Sequence, residues 1–173
     1  LAALWFLGET GTVPTQTGRV TRLDSRRRVL LMLGGMAASF LLARLIQGIA
    51  PRLRPFVDAP LRVPIDPATW EAVRTNLMSQ GAFPSDHAAM FFVLTTGVFS
   101  LNRRVGILVL IVSVYFSALR VGVGFHWPGD MLAGAVLGIL TVSLALAFER
   151  YLRLLLDPIV LQFNRRPALA YPL

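Results

Sequence analysis

Residues 84–130, PSDHAAMFFVLTTGVFSLNRRVGILVLIVSVYFSALRVGVGFHWPGD, decide the fold of this chain. Two apolar runs, Ser85–Leu101 and Val105 to about Val123, are parted only by Asn102-Arg103-Arg104, so they must form an antiparallel hairpin. Each has a length suited to a hydrocarbon core roughly 30 Å thick. A compact polar cluster lies at each end of the hairpin: Pro84-Ser85-Asp86-His87 where it begins, and Arg120-x5-His126-x3-Asp130 where it ends and the next run starts. These clusters hold both histidines of the chain. Acids, bases and guanidinium groups at the edge of apolar runs are costly in a membrane, and such groups mark function.

Working outward, Val29–Ala50 adds a span before the hairpin and Pro128–Phe148 one after it. Hydrophobic residues are 55% of the chain and charged residues 15%, and the mean hydropathy is +0.63, too apolar for an ordinary soluble domain. The expected fold is all-α: a polytopic transmembrane helix bundle, one membrane domain over residues 1–173. Its core is 29–148, with a long loop at 51–83 and a C-terminal extension at 149–173. The opening stub Leu1-Ala-Ala-Leu-Trp-Phe-Leu7 predicts that one or more helices precede the chain. The absence of cysteine excludes disulfides, thiolate metal sites and a cysteine nucleophile. No repeat, low-complexity tract or cleavable signal is evident.

All 17 basic residues are arginine, and the net charge is +8. They are dispersed among the spans, which argues against nucleic acid as a partner. Arg19, Arg22, Arg26, Arg27, Arg28, Arg103, Arg104, Arg150, Arg153, Arg165 and Arg166 fall on one side of the threaded bundle and define the cytoplasmic face. Arg52, Arg54, Arg62, Arg74 and Arg120 fall on the other. A third polar cluster, Gln47 to Arg54-Pro55, closes the first span, and the parity of the spans puts all three clusters on the extracytoplasmic side. Depth agrees: Val29–Gln47 would make roughly 28 Å of helix and Val105–Arg120 roughly 24 Å. Threading alone therefore gathers Gln47, Arg54, Ser85, His87, Arg120, His126 and Asp130 into one pocket.

Arginine forks suit phosphate oxygens, and a helix beginning at Ser85-Asp86 aims free N–H groups the same way. No plausible metal-ligand set accompanies them, and no cofactor is expected. One histidine can attack phosphorus while the other protonates the departing oxygen, and an acid four residues after a histidine can hold its ring in the attacking tautomer. Each residue also has a plainer use. Ser85, Asp86 and Asp130 suit helix N-termini, and Arg54 and His126-Trp127 suit a membrane interface.

The order Arg54-Pro55, Pro84-Ser85-Asp86-His87, Arg120-x5-His126-x3-Asp130 resembles the three signature motifs of the type-2 phosphatidic acid phosphatase superfamily, which includes the soluble vanadium haloperoxidases. The resemblance covers about residues 29–148 and is strongest over His126–Gly134. It implies that His126 is the nucleophile that becomes a phosphohistidine, Asp130 its orienting partner, and His87 the acid that protonates the leaving group and then activates water. Arg54, Arg120 and Ser85 would hold the phosphoryl oxygens, without a metal. Two positions depart from the family pattern: Gln47 stands where a lysine is usual, and Leu119 where a serine is usual. Arg44 or Arg52 are the nearest replacements for the missing charge. Asp86, where many members carry glycine, resembles bacterial undecaprenyl diphosphate phosphatases and tilts the substrate towards a polyprenyl diphosphate.

The expected protein is an integral membrane phosphatase, of a bacterial inner membrane, that hydrolyses a lipid phosphate or diphosphate at the outer face. The rival is a relative that has lost turnover through Gln47 and serves as a structural subunit among membrane-protein partners. The apolar spans argue against a soluble haloperoxidase. In the loop, Asp66-Pro67 predicts the start of a short helix that could roof the pocket with Trp70, or lie inert at the interface. Glu149–Phe163, with a leucine-rich face, predicts an extension along the cytoplasmic surface or a docking face for a neighbouring subunit.

Overall fold

The computed structural model describes residues 13–15, 18–20, 22–58 and 64–165. The stub Leu1–Leu7, Arg62 and Arg166 lie outside the described residues. A two-stranded antiparallel ribbon, β1 (Val13–Thr15) and β2 (Gly18–Val20), comes first, pairing Val13 with Val20. Sequence periodicity did not announce it, because three-residue strands are too short to show alternation. The rest is helical: α1 (Arg22–Ile49), α2 (Pro55–Asp58), α3 (Pro67–Met78), α4 (Asp86–Leu101), α5 (Arg103–Val123), α6 (Pro128–Ala147) and α7 (Glu149–Arg165).

Three helices among the described residues are long and apolar enough to cross a membrane: Arg26–Ile49 of α1, α5 and α6. The chain is an integral membrane protein whose bundle is all-helical, the short ribbon β1–β2 preceding it. Helix α4, at 16 residues, spans about 24 Å and is the central element, packed on α1, α5 and α6. Val29, Met32, Val93, Val98, Leu101 and Val142 form the interior cluster around it. Outward, Leu41, Leu108, Ile111 and Leu132 are exposed, the pattern of helices facing lipid tails.

Lipid is as apolar as leucine, so close packing and interhelical hydrogen bonds must hold such a bundle. Both are present. Thr95 and Ser113 share a hydrogen bond of 2.8 Å between α4 and α5. On α6, Gly134 and Gly138 lie against the α4 backbone, where a Cβ would collide with the carbonyl oxygens of Ser85 and Ala89. This contact sets the depth of the Ser85-Asp86-His87 turn.

Asp66 caps α3 as expected, accepting from the Thr69 N–H at 3.0 Å, with Pro67 in the first turn. Trp70 of α3 stands edge-on to Phe56, centroids 5.2 Å apart, and the Phe56 N–H donates to Gly124 O at 3.2 Å. The loop is thereby fastened over the Gly124 end of the bundle. Helix α7 turns back against the start of α1. Arg27 binds Asp157 at 2.6 Å and Glu149 at 3.3 Å, and Val160 is buried.

Candidate active site

The structure brings all seven predicted site residues to one end of the bundle. Helix α1 delivers Gln47, the turn after it Arg54, the α4 N-terminus Ser85 and His87, the end of α5 Arg120, and the α5–α6 turn His126. Asp130 comes from the first turn of α6. Local sequence explains each placement. Ser85 is the α4 N-cap, its Oγ accepting from the Ala88 N–H at 3.3 Å, which leaves the hydroxyl hydrogen free to donate. Pro128 opens α6 and holds His126 and Trp127 outside the helix.

His126 is 1% exposed. Its Nδ1 lies 3.0 Å from the carbonyl of Ala82 and its Nε2 lies 3.1 Å from Arg54 Nη1. A carbonyl can only accept and a guanidinium can only donate, so the ring is the Nδ1–H tautomer with its lone pair on Nε2. Burial pushes the imidazole down to about 3, and the nearby cations Arg54 and Arg120 push the same way. The ring is therefore neutral at ordinary pH. Because the folded pKa lies below the ordinary 6.5, the unfolded chain binds the extra proton. Stability from this group is full above pH 6.5 and falls as the pH drops towards 3, by about 1.4 kcal/mol per pH unit. Denaturation midpoints in detergent should show this acid loss, and His126→Gln should remove that part of the slope.

The expected orienting carboxylate is not in hydrogen-bond contact with that ring. Asp130 Oδ2 is 3.8 Å from His126 Nδ1. The carboxylate instead accepts from the Trp127 N–H at 2.8 Å and from Arg52 Nη1 at 2.9 Å, and its own backbone oxygen accepts from the Ser85 N–H at 3.0 Å. Asp130 thus fixes the backbone beside His126 and ties α6 to the α4 turn, while Ala82 sets the tautomer.

His87 is half-exposed, and its Nδ1 lies 2.7 Å from Asp86 Oδ1. An ionised carboxylate only accepts, so this short contact puts the hydrogen on Nδ1 and leaves Nε2 as the ring nitrogen not bound to Asp86. Arg120 Nη2 stands 3.2 Å from the same Nδ1; with the hydrogen on Nδ1 both atoms are donors, so the guanidinium packs beside the ring without a hydrogen bond to it. Arg120 Nε is buried without a hydrogen-bond partner, an uncommon state for a buried donor and one that an incoming anion would relieve.

Arg54 is 5% exposed and donates to Leu77 O at 3.0 Å and Phe125 O at 3.0 Å, besides His126. Burial lowers its pKa, while Asp86 opposes the shift. Gln47 serves the frame of the site more directly than an anion. Its Nε2 donates to Pro84 O at 2.8 Å, and its Oε1 accepts from Arg44 Nη1 at 3.2 Å. Of the two candidate replacements for the missing charge, Arg52 is engaged with Asp130, and Arg44 lies 4.0 Å from Asp86. A cavity of about 440 Å³ adjoins Gln47, Arg52, Arg54, Phe56 and Leu77, so the end of α3 walls the Arg54 side, whereas Trp70 packs on Phe56 and does not line it. Sequence reasoning missed the carbonyls of Ala82, Leu77 and Phe125, since backbone acceptors leave no mark on residue identity. It also missed the pairing of Asp86 with His87, which the adjacency of an acid and a histidine could have suggested.

A family model described as PAP2 superfamily matches residues 28–154. The chain is 37% identical over 60 residues to a bacitracin transport permease protein BcrC of Bacillus licheniformis, covering 35% of this chain and 30% of that protein. It is 26% identical over 160 residues to undecaprenyl-diphosphatase BcrC of Bacillus subtilis (strain 168), covering 92% and 71%. It is 27% identical over 123 residues to the putative undecaprenyl-diphosphatase YbjG of Escherichia coli (strain K12), covering 68% and 56%. The matches thus span from under a third to about seven tenths of these relatives. No solved structure shows significant similarity to the chain.

Proposed function

The chain belongs to the PAP2 superfamily, and from that membership and the geometry around His126 we propose that it is a phosphatase releasing phosphate from a polyprenyl diphosphate at the extracytoplasmic face. One observation carries the reading: a buried, neutral imidazole whose Nε2 lone pair faces a guanidinium at 3.1 Å. Two relatives are named for undecaprenyl diphosphate hydrolysis, which supports that substrate class. Arginine asymmetry supports the side.

In the proposed reaction, Arg54 Nη1 leaves Nε2 for a phosphoryl oxygen, and Arg120 and the Ser85 hydroxyl take the others. Nε2 attacks the terminal phosphorus, and the bond from phosphorus to the leaving oxygen breaks. His87, protonated and held by Asp86, gives its Nε2 proton to that oxygen. The neutral His87 then takes a proton from water, the water oxygen attacks phosphorus, and the P–N bond breaks to free phosphate and restore His126. Donors already aimed at the developing charge lower the barrier without reorganisation. The arginines supply the positive charge, so a chelator should leave the rate unchanged.

The test is phosphate release by the full chain in liposomes across polyprenyl diphosphate, phosphatidate and phosphatidylglycerol phosphate. A rate equal to that of His126→Ala on every lipid overturns the reading. That result favours the structural-subunit alternative, which the loss of the motif charge at Gln47 motivates. Gln47→Lys removes the acceptor for Arg44 and sets an ammonium beside a guanidinium, so turnover should fall by roughly 3- to 10-fold. A rise in rate would instead mark position 47 as a weakened phosphate contact.

A further inference from the structure

Resting on the phosphatase reading, we infer that the notch formed by Phe91, Phe116, Leu119, Val123 and Phe125 beside Arg120 seats the head-proximal isoprene units of the substrate's lipid tail. The notch has a volume of about 210 Å³, and Arg120 is its one charged wall. The argument starts from bond connectivity. In a lipid diphosphate the tail belongs to the leaving fragment, so it must exit on the side of the acid, away from the nucleophile. Arg120 marks that side, since its Nη2 lies against His87 Nδ1 at 3.2 Å.

The two sides of the site are built differently. The 440 Å³ cavity on the Arg54 side includes Gln47, Arg52, Ser79 and Gln80 among its walls. The notch is apolar apart from its arginine, and the two share no residue. A second apolar groove, about 280 Å³, runs by Ser117, Val121, Met131 and Leu132, and no phosphate-binding residue touches it. A tail carried by the departing phosphate, leaving past His87 and Arg120, reaches the notch first.

The notch walls are held in place. Phe91 and Phe116 rings stand 6.0 Å apart, and beneath them Thr95 donates to Phe91 O at 2.9 Å while Ser113 donates to Thr95 Oγ1 at 2.8 Å. Phe116 is 47% and Leu119 42% exposed, so the notch opens outward to lipid. Its volume is below that of a pocket enclosing a whole small ligand, which suits a short length of chain whose remainder stays in the bilayer. Three aromatic faces favour the allylic, methyl-branched start of an isoprenoid over a straight acyl chain. Leu119, one of the departures from the family motif, becomes a determinant of tail choice.

The experiment compares kcat/KM on a C15 isoprenyl diphosphate with that on methyl diphosphate, which has the same head and no tail. Leu119→Ala should lower the ratio about tenfold through KM, the effect of a little under two lost methylene-sized contacts, and Leu119→Trp, which fills the notch, should lower it further. Leu132→Trp in the other groove should leave the ratio within twofold. The inference is overturned if the Leu119 variants, purified as folded monodisperse protein, keep the wild-type ratio, or if Leu132→Trp is the variant that lowers it. Should wild type hydrolyse neither compound, the phosphatase reading fails, and tail binding is then read from a benzophenone-bearing isoprenyl diphosphate in nanodiscs. Crosslinks within residues 116–125 uphold the notch; crosslinks confined to 128–135 overturn it.

Discussion

His126→Ala should abolish phosphate release from a polyprenyl diphosphate, with a loss of at least about a thousandfold, because the proposed nucleophile is the His126 Nε2 lone pair that faces Arg54 at 3.1 Å. The buried ring leaves little room for a surrogate: Nδ1 is bound to Ala82 O and Nε2 faces Arg54. The proposed intermediate makes the result specific. Brief mixing of wild type with substrate labelled at the terminal phosphorus should leave acid-labile, base-stable label on the protein, as a phosphoramidate does. His87→Ala should retain label for longer, since the water that clears it loses its base, whereas His126→Ala should carry none. Label on the His126→Ala protein, or turnover near the wild-type rate, would assign the attack to another group.

Gly134→Leu should unseat the active site and destabilise the bundle together, by about 3 kcal/mol or more, the scale of a forced overpacking where backbone blocks relief. A Cβ at this position already meets the Ser85 carbonyl oxygen and Ala88 Cβ. A leucine must therefore push α6 from α4, parting Asp130 O from the Ser85 N–H it now accepts at 3.0 Å. Loss of the folded fraction on solubilisation and loss of activity should go together. Gly122→Ala is the matching control: nothing lies within 4 Å of the added Cβ, and both readings should stay near wild type. Full activity in Gly134→Leu would mean that α4 and α6 can separate without moving the site.

The sequence by itself determined the elements and the end of the bundle where chemistry gathers. Apolar runs of bilayer length and a three-residue join at Asn102-Arg103-Arg104 allow one threading, and that threading carries Arg54, His87, Arg120 and His126 to one side. Asp66-Pro67 likewise announced α3, because capping is local chemistry readable from neighbours. Tertiary structure decided the hydrogen-bond partners. Position in the sequence put Asp130 one helical turn from His126, yet the α6 N-terminus turns its carboxylate to the Trp127 N–H and Arg52, and a carbonyl 44 residues upstream takes the imidazole hydrogen. Gln47 reads as a weakened phosphate ligand by motif position and is a strut to Pro84 in space. Spacing fixes which face a side chain occupies, whereas the partner it meets depends on ångström-scale helix approach. Here that approach is set by the glycines of α6 against α4, and by carbonyls that every residue possesses alike.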